Sequence, residues 1–383
     1  MYNFFSKKAR QKHRAQKKAQ KERDKRSEQI RKLLQGVDFK PMSFQPEREQ
    51  KPADVIRSEI EYLWVNGKGA WTAEDTFTQY FSTGMDLKGV DIHGYIMQYE
   101  QDMARNKLHP KFAHMLDDKE ITLRYLTSQG IPASSALGYV DQQGRIHCDN
   151  DTTIEDFSEW LAKYGQTVFI KDLAACQGVG CCRASASKTG GEIMTYINEQ
   201  PVSREEFKKH TERHAVEVLL TQTESMSKVY PGAINTVRIV TLSGRKDIVV
   251  FMSHLTFGAN GSPCSNQAQG GIVVGVNEEG ILTTDGHMKH PPLVSKHPNS
   301  GIIFKGYVIP EYKACVELAK RAHRTLSRIY SIGWDIAITP NGPVIIEANR
   351  DWGTVAYPAL YGPNKEKFLL YFHGGMPKVQ ETK

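Results

Sequence analysis

The stretch GWDIAITPNGPVIIEANRDWG, residues 333–353, contains two strand-like runs on either side of Pro340-Asn341-Gly342, which is a strong hairpin signal. With the turn centred on Asn341, Asp335 lies six residues before it and Glu347 six residues after it. We therefore expect the two carboxylates to face each other across the ladder. Asn349 follows Glu347 by two residues, which places it on the same face of the strand.

Two carboxylates and an amide oxygen at one end of a hairpin form a hard, all-oxygen site. Such a site suits Mg²⁺ that arrives with the phosphates of a nucleotide. An exposed hairpin with ordinary surface acids is the alternative. Against that alternative, Glu347 and Asn349 alternate with Ile345 in an otherwise apolar strand, where a buried charge is costly unless it is paired or metal-bound.

The sequence around this hairpin predicts a mixed α+β body in which antiparallel pairing dominates. Short apolar runs separated by turns indicate strands at 167–171, 235–242, 247–252 and 271–276. Helices are expected near 203–210 and 311–329. A further helix, KEITLRYLTSQ, is predicted after Asp117 and Asp118, which can cap its start, and before Gly130, which can end it.

The region before residue 116 is expected to be helical and to carry the basic charge of the chain. Residues 1–35 hold 13 Lys and Arg against 3 Asp and Glu, a net charge of +10, whereas the formal charge of the whole chain is +7. We therefore predict a basic helical arm over 1–35, a linker over 36–51 and a helical domain over 52–115, followed by the mixed α+β body over 116–375.

The partner of the basic arm is open at this level. Phe4 and Phe5 beside Lys7 and Lys8 suit an anionic membrane surface, a solvated helix is the plain alternative, and nucleic acid is disfavoured because no aromatic residues are interleaved farther along. The chain has no apolar run long enough to span a bilayer and no signal peptide, and its six cysteines lack paired spacing. We expect a cytoplasmic protein, peripheral at the inner membrane face if the arm binds there.

A second informative stretch is FIKDLAACQGVGCCRA, residues 169–184. Lys171 stands at the end of a strand, and the small-residue loop after it contains Gly178 and Gly180. Backbone N–H groups of such a loop can close over phosphates while the lysine supplies a positive charge. A Gly-rich strand connection is the alternative, and three cysteines in this stretch, Cys176, Cys181 and Cys182, have no assigned role.

The order of these motifs resembles the ATP-grasp superfamily, and more closely its sugar-transfer-associated branch. The resemblance spans residues 117–353 and rests on five stretches: DDKEITLRYLTSQGIP (117–132), FIKDLAACQGVG (169–180), NTVRIVTL (235–242), NQAQGGIVVGV (266–276) and GWDIAITPNGPVIIEAN (333–349). It implies an ATP-grasp fold, in which two α+β subdomains grip ATP, preceded here by the small helical domain and the basic arm. It also implies ATP and Mg²⁺ as cofactors.

The resemblance implies roles for individual positions. Arg238 would stabilise the transferring phosphoryl group, and Lys171 would share in catalysis. The remaining positions are ATP-phosphate contacts at Lys119 and Lys171, a flexible lid at Gly178 and Gly180, an adenine-reading hinge at Leu220, Thr221 and Gln222, a nucleotide contact at Asn235, and magnesium ligands at Asp335, Glu347 and Asn349. Asn266, Gly270 and Gly271 lie in matching motifs without a firm role. Two departures are Ala174-Ala175-Cys176 after the lysine and an uncharged Gln222 where an acid is common.

The function that the resemblance implies is an ATP- and Mg²⁺-dependent carboxylate–amine ligase that acts through an acylphosphate. A sugar acid or an amino-acid-bearing glycan precursor in polysaccharide biosynthesis is the expected substrate class. An ATP-grasp kinase and a non-catalytic membrane-associated binding protein are the alternatives. The residues do not identify the two substrates. No general base is assigned: His254, His287 and His290 are candidates, but a chain with 13 histidines places some of them near any site by chance.

Overall fold

A computed structural model of the chain describes residues 2–67, 72–148, 152–172, 180–244 and 246–372, with side chains from residue 12 onward. The α-helices, in chain order, are α1 Tyr2–Leu34, α2 Ala53–Asn66, α3 Ala73–Ser82, α4 Gln98–Leu108, α5 Lys119–Ser128, α6 Phe157–Tyr164, α7 Arg204–Thr211, α8 Glu224–Val229, α9 Tyr312–Thr325, α10 Ala356–Tyr361 and α11 Lys365–Phe372. Short 3₁₀ segments are Lys40–Met42, Ile92–Gly94, Lys111–Asp117 and Gln267–Gln269.

The strands, in chain order, are β1 Ala136–Val140, β2 Ile146–Cys148, β3 Thr153–Ile154, β4 Val168–Asp172, β5 Cys182–Thr189, β6 Glu192–Ile197, β7 Gln200–Val202, β8 His214–Val218, β9 Thr236–Ser243, β10 Ile248–Phe257, β11 Ile272–Gly275, β12 Ser331–Thr339 and β13 Gly342–Asn349. They form two sheets whose strand orders are β3-β2-β1-β8-β4-β5-β6-β7 and β11-β10-β9-β12-β13. All pairs within these sheets are antiparallel. The predicted α+β class is confirmed.

The chain divides into two compact units. Among the described residues, the first contains those within 2–107, 290–292 and 354–372, and the second those within 108–289 and 293–353. The first unit is helical where it is described, which confirms the predicted helical N-terminal region. Nothing tests the functional boundaries predicted at residues 36, 52 and 116, which stay predictions.

The first unit holds the basic helix α1, which is exposed on all sides between residues 12 and 25. Its last turns pack on α2, with Ile30 and Leu34 buried and Arg31 Nε 2.8 Å from a carboxylate oxygen of Glu61. The segment 36–51, which we expected to be a linker, contributes buried Phe39 and Phe44 to this unit. Within the described chain, no helix is both long enough and apolar enough to cross a membrane.

The second unit contains both sheets, each with its own apolar core. Helix α9 packs on one face of the five-stranded sheet, and helices α6 and α7 contact the eight-stranded sheet. Below the five-stranded sheet, Trp334 Nε1 donates to Thr241 Oγ1 at 2.7 Å, and this hydroxyl lies 2.7 Å from His323 Nδ1. The His323 Nε2–H donates to the carbonyl oxygen of Ile329 at 2.8 Å. This buried network connects α9 to strands β9 and β12.

Candidate functional site

A row of polar side chains crosses the five-stranded sheet. The strand registers place Glu347 of β13 opposite Asp335 of β12, Asp335 opposite Arg238 of β9, and Arg238 opposite His254 of β10. Directly opposite residues in an antiparallel ladder share a face. The other face carries the apolar side chains of the core, such as Ile336, Val237 and Leu255. The sheet therefore separates a packed face from a face that carries charge.

The hairpin geometry differs from the predicted one in an informative way. The turn has two residues between the paired Thr339 and Gly342, and the register shifts between Asp335 and Ile336. Ile336 pairs with Ile345 whereas Asp335 pairs with Glu347, so Ile346 is an extra residue on β13. The predicted pairing of Asp335 with Glu347 is confirmed, but it arises from a short turn and a bulge instead of a wider turn.

Ion pairs connect the members of this row. Arg238 Nε lies 2.5 Å from Asp335 Oδ1, and a terminal nitrogen of the same guanidinium lies 2.7 Å from Oδ2. Lys119 Nζ lies 3.3 Å from Glu347 Oε1, and Asn349 Nδ2 lies 3.3 Å from Asp335 Oδ2. The predicted magnesium ligands are therefore neighbours, and each carboxylate already faces one cation.

The two carboxylates respond differently to this environment. Burial raises the pKa of Asp335 above its usual range, and the adjacent Glu347 raises it further, although Arg238 opposes both. Burial also acts to raise the pKa of Glu347, but Lys119, Lys171 and Arg238 together outweigh it and lower that pKa. Placing two carboxylates side by side is costly, and a bound cation would relieve that cost.

The donor set fits Mg²⁺ delivered with phosphates. Asp335 and Glu347 supply carboxylate oxygens, and Asn349 supplies an amide oxygen, all of them hard ligands. Among the described residues, no group of three or more His, Cys, Asp or Glu is placed to hold a metal ion. Proteins usually bind Mg²⁺ through one or two carboxylates, and water and substrate phosphates complete the coordination. Two carboxylates and an amide are therefore a sufficient protein ligand set for Mg²⁺.

A second cluster surrounds Lys171 at the end of β4. Lys171 Nζ lies 2.8 Å from Glu217 Oε2 on the neighbouring strand β8, and Ser134 Oγ donates to the same oxygen at 2.9 Å. Burial alone would lower the pKa of Lys171, but Glu217 outweighs it, and Glu347 adds to the upward shift. Lys171 is thus a cation held by Glu217, and it also interacts electrostatically with Glu347 of the five-stranded sheet.

The chain positions the remaining predicted phosphate residues locally. Asp118 caps helix α5 by accepting from Ile121 N, and Lys119 is the first residue of that helix. Gly180 adopts φ +73°, and a Cβ there would lie 3.1 Å from Asp172 Cβ. Gly178, together with Cys176, lies outside the described residues. Burial raises the pKa values of Cys181 and Cys182 to about 11 and about 12, so both are protonated thiols near pH 7.

The predicted hinge follows β8. Leu220 is half-buried and Thr221 is exposed, whereas Gln222 and Asn235 are buried and bonded to one another. Gln222 Nε2 donates to the carbonyls of Tyr230 and Ala233 at 2.8 and 2.9 Å. The polar atoms of both side chains are therefore hydrogen-bonded to backbone groups of this protein, and these bonds fix the conformation of residues 222–235. An adenine contact in this segment stays a prediction and would have to come from its backbone.

Three residues of the 266–276 motif shape a turn. Ala268 N donates to Asn266 Oδ1 at 2.9 Å, and Gly271 N donates to the Asn266 carbonyl at 3.0 Å. Gly270 has φ +89°, and a Cβ on Gly271 would lie 2.0 Å from the Ser265 carbonyl oxygen. The two glycines are thus required by the backbone path.

Residues 98–362 match the family model described as "Sugar-transfer associated ATP-grasp". The chain belongs to this ATP-grasp family. The match covers both sheets and the whole carboxylate row, and it confirms the family to which the motif order pointed. No curated protein sequence matches the chain significantly.

Solved structures similar to this ATP-grasp chain include N5-carboxyaminoimidazole ribonucleotide synthetase from Thermotoga maritima, with 12% identity over 63% of the chain and a TM-score of 0.33. An L-amino acid ligase from Bacillus licheniformis has 11% identity over 66% and a TM-score of 0.34. D-alanyl-alanine synthetase A from Vibrio cholerae O1 has 10% identity over 69% and a TM-score of 0.38. The chain spans 44%, 44% and 62% of these three structures, respectively.

The sequence motifs do not indicate two residues of the cluster around Lys171. Glu217 holds the Lys171 side chain and Ser134 bonds to Glu217, yet neither lies in one of the five stretches that carry the family resemblance. One signal was available, because Glu217 is an acid inside the run HAVEV and is buried as Asp335 is. An acid in an apolar strand points to a paired or ligating role.

Proposed function

We propose that this ATP-grasp protein is an ATP- and Mg²⁺-dependent ligase that joins a carboxylate to an amine through an acylphosphate. The observation that carries the proposal is the convergence of Lys119, Lys171 and Arg238 on the carboxylate pair of Asp335 and Glu347. Three cations beside a carboxylate pair suit a polyphosphate and its metal better than they suit a neutral ligand.

Each group has a distinct task in this proposal. Asp335, Glu347 and Asn349 would hold Mg²⁺, which supplies neutralising charge to phosphate oxygens when it is bound. Lys119 and Lys171 bind the phosphates of ATP, and Glu217, which accepts a hydrogen bond from Ser134, holds Lys171 in place. Arg238 donates hydrogen bonds to the phosphoryl group during transfer. Gly178 and Gly180 belong to the segment proposed to cover the phosphates and exclude water.

The reaction needs no nucleophilic side chain. An oxygen of the substrate carboxylate attacks the terminal phosphorus of ATP, ADP leaves, and an amine then displaces phosphate from the acylphosphate with loss of a proton. We propose a sugar acid or an amino-acid-bearing glycan precursor as substrate, because the family description associates this ATP-grasp family with sugar transfer. Charges that are fixed before the reaction stabilise the phosphoryl group without reorganisation, which is how such a site lowers the barrier.

Hydroxylamine trapping tests the proposal. The full chain is incubated with Mg²⁺, ATP and a panel of uronic acids and amino acids, and ADP, phosphate and hydroxamate are measured together. We expect equal amounts of all three with the right carboxylate, and none with Glu347→Gln. A stable phosphorylated product without hydroxamate identifies a kinase instead. ATP that neither binds nor turns over points to a non-catalytic binding protein.

We also propose that residues 1–35 direct the protein to an anionic membrane surface at the cytoplasmic side. The support is the net charge of +10 in this segment and the exposure of every residue from 12 to 25. Each basic residue near an anionic leaflet contributes about 1 kcal/mol. Between residues 12 and 25 the helix has no apolar side chain larger than that of Ala15 or Ala19, so the proposed binding is electrostatic and shallow.

A further inference from the structure

His254 extends the charged row by one strand. It lies directly opposite Arg238 of β9 on one side and Gly275 of β11 on the other, so it shares the face of Arg238 and Asp335. Its side chain is only 7% exposed. Because Gly275 has no side chain, β11 places nothing beside the imidazole at this level of the sheet.

The imidazole of His254 is not satisfied by the protein. Its Nδ1 is buried and has no hydrogen-bond partner among the residues that the structure describes. A buried polar atom left without a partner destabilises the fold and calls for an explanation. The fold meets this need elsewhere. His323 bonds through both ring nitrogens, and His297 Nε2 lies 2.8 Å from the carbonyl of Gly258.

Arg238 is also incompletely used. Its Nε and one terminal nitrogen donate to Asp335, while its other terminal nitrogen has no protein partner in the described parts of the chain. Burial lowers the pKa of His254 to about 3, and the nearby Arg238 adds to this effect. The imidazole is therefore neutral at pH 7 and offers an N–H donor. So weak a base does not accept a proton from an amine.

We infer that His254 donates an N–H hydrogen bond to a substrate oxyanion that also contacts the free terminal nitrogen of Arg238. The oxyanion belongs either to the phosphoryl group in transfer or to the carboxylate that receives it, since both present the same oxygen chemistry. This inference rests on the proposed function and deepens it. His254 is a substrate-contacting residue. Its position, beside Arg238 and away from Asp335 and Glu347, is one where no metal-binding or phosphate-binding residue has been proposed.

Two anions distinguish the two sources. Orthovanadate stands in for the phosphoryl group and is titrated into the full chain with and without Mg·ADP. D-glucuronate stands in for the carboxylate and is titrated with a non-hydrolysable Mg·ATP analogue. His254→Phe keeps the ring volume and removes both nitrogens, His254→Asn keeps an N–H donor, and His210→Phe on the exposed face of α7 is the matched control.

We expect His254→Phe to weaken binding of one of these anions about tenfold or more, the size of a hydrogen bond to a charged group, with Mg·ADP affinity unchanged. His254→Asn recovers part of the loss, and His210→Phe binds as the wild type does. In ¹⁵N-histidine NMR spectra of the wild type, the His254 signals shift when the anion is added and not when Mg·ADP alone is added.

Two outcomes separate the two proposals. In the first, Mg·ADP binds normally, and each anion either binds the wild type and His254→Phe equally well or binds neither protein. That result overturns the His254 contact and leaves the ligase proposal standing. If Mg·ADP fails to bind but vanadate still binds in a manner that depends on His254, the contact stands and the ligase proposal falls. A misfolded His254→Phe variant leaves the NMR shift and His254→Asn to decide.

Discussion

Asp335 and Glu347 oppose each other only because Ile346 is an extra residue in β13. With the observed two-residue turn and a regular ladder, Asp335 would face Ile346, and Glu347 would lie on the core side with Ile345. The bulge thus moves one carboxylate from the packed face to the charged face. Bulges occur often beside active sites, where they redirect a side chain.

The carboxylate pair is expected to be essential for turnover. Asp335→Asn and Glu347→Gln each remove a charge that balances Arg238 or Lys119, and we expect ATP-dependent turnover to fall about 100-fold or more. Far-ultraviolet circular dichroism should be unchanged. Glu205→Gln, an exposed acid on α7, is the control and should be neutral. Wild-type rates in both site variants would remove the pair from the mechanism.

Glu217 is expected to act by holding Lys171. Glu217→Gln keeps the shape but removes the charge that raises the pKa of Lys171, so we expect the KM for ATP to rise about tenfold. Ser134→Ala removes one hydrogen bond to Glu217 and should have a smaller effect in the same direction. An unchanged KM in Glu217→Gln, measured by ADP release, would separate this pair from nucleotide binding.

His323 makes the stability of the second unit depend on pH. Burial lowers the pKa of His323 to about 4 from the usual 6.5, so the unfolded chain takes up a proton before the folded chain does. Above pH 6.5 His323 is neutral in both states and the free energy of unfolding is at its full value. As the pH falls from 6.5 towards 4, protonation of the unfolded chain lowers that free energy by about 3 kcal/mol in total.

Urea unfolding at several pH values checks this expectation. In the wild type the free energy of unfolding should fall between pH 6.5 and 4. In His323→Gln it should be lower at pH 7.5, because the bonds to Thr241 and Ile329 are altered, and should change less with pH. Equal slopes in the two proteins would assign the acid sensitivity to other groups.

The basic helix is expected to localise the protein without contributing to chemistry. A chain that begins at residue 26 retains the buried Ile30 and Leu34 and should keep its kcat. It should lose co-sedimentation with phosphatidylserine vesicles, and binding of the full chain should weaken as salt screens charges beyond ~8 Å. Lys17→Glu with Lys18→Glu should weaken vesicle binding more than Lys188→Glu with Lys209→Glu. Equal binding by full and truncated chains would contradict the assignment.

The sequence predicted those features that depend on local pattern. Alternation and turn residues indicated β9 to β13, and Asp118 and Gly130 marked the two ends of α5. The carboxylate pair was predicted because residue spacing in a hairpin is local. Even there, a regular hairpin centred on Asn341 and the observed two-residue turn with a bulge at Ile346 give the same pairing by different geometries.

The unpredicted part of the site depends on register between distant strands. His254 joins the row only because of how β9 and β10 pair, and that ladder contains its own shift between Val250 and Met252. Glu217 meets Lys171 because β8 and β4 are neighbours in a sheet whose order does not follow the chain. Neither relationship is encoded in spacing along the sequence, so motifs alone could not indicate it.

Calorimetric titration of ATP into the full chain determines whether the row formed by Asp335, Glu347 and Asn349 binds Mg²⁺ with ATP. The titration is run with Mg²⁺ and with EDTA, on the wild type, Glu347→Gln and Glu205→Gln. We predict that ATP binding to the wild type and to Glu205→Gln requires Mg²⁺, and that Glu347→Gln loses about tenfold or more of the Mg²⁺-dependent affinity. ATP binding that is the same in all three proteins, or the same with EDTA as with Mg²⁺, would show that these residues do not bind Mg²⁺ with ATP.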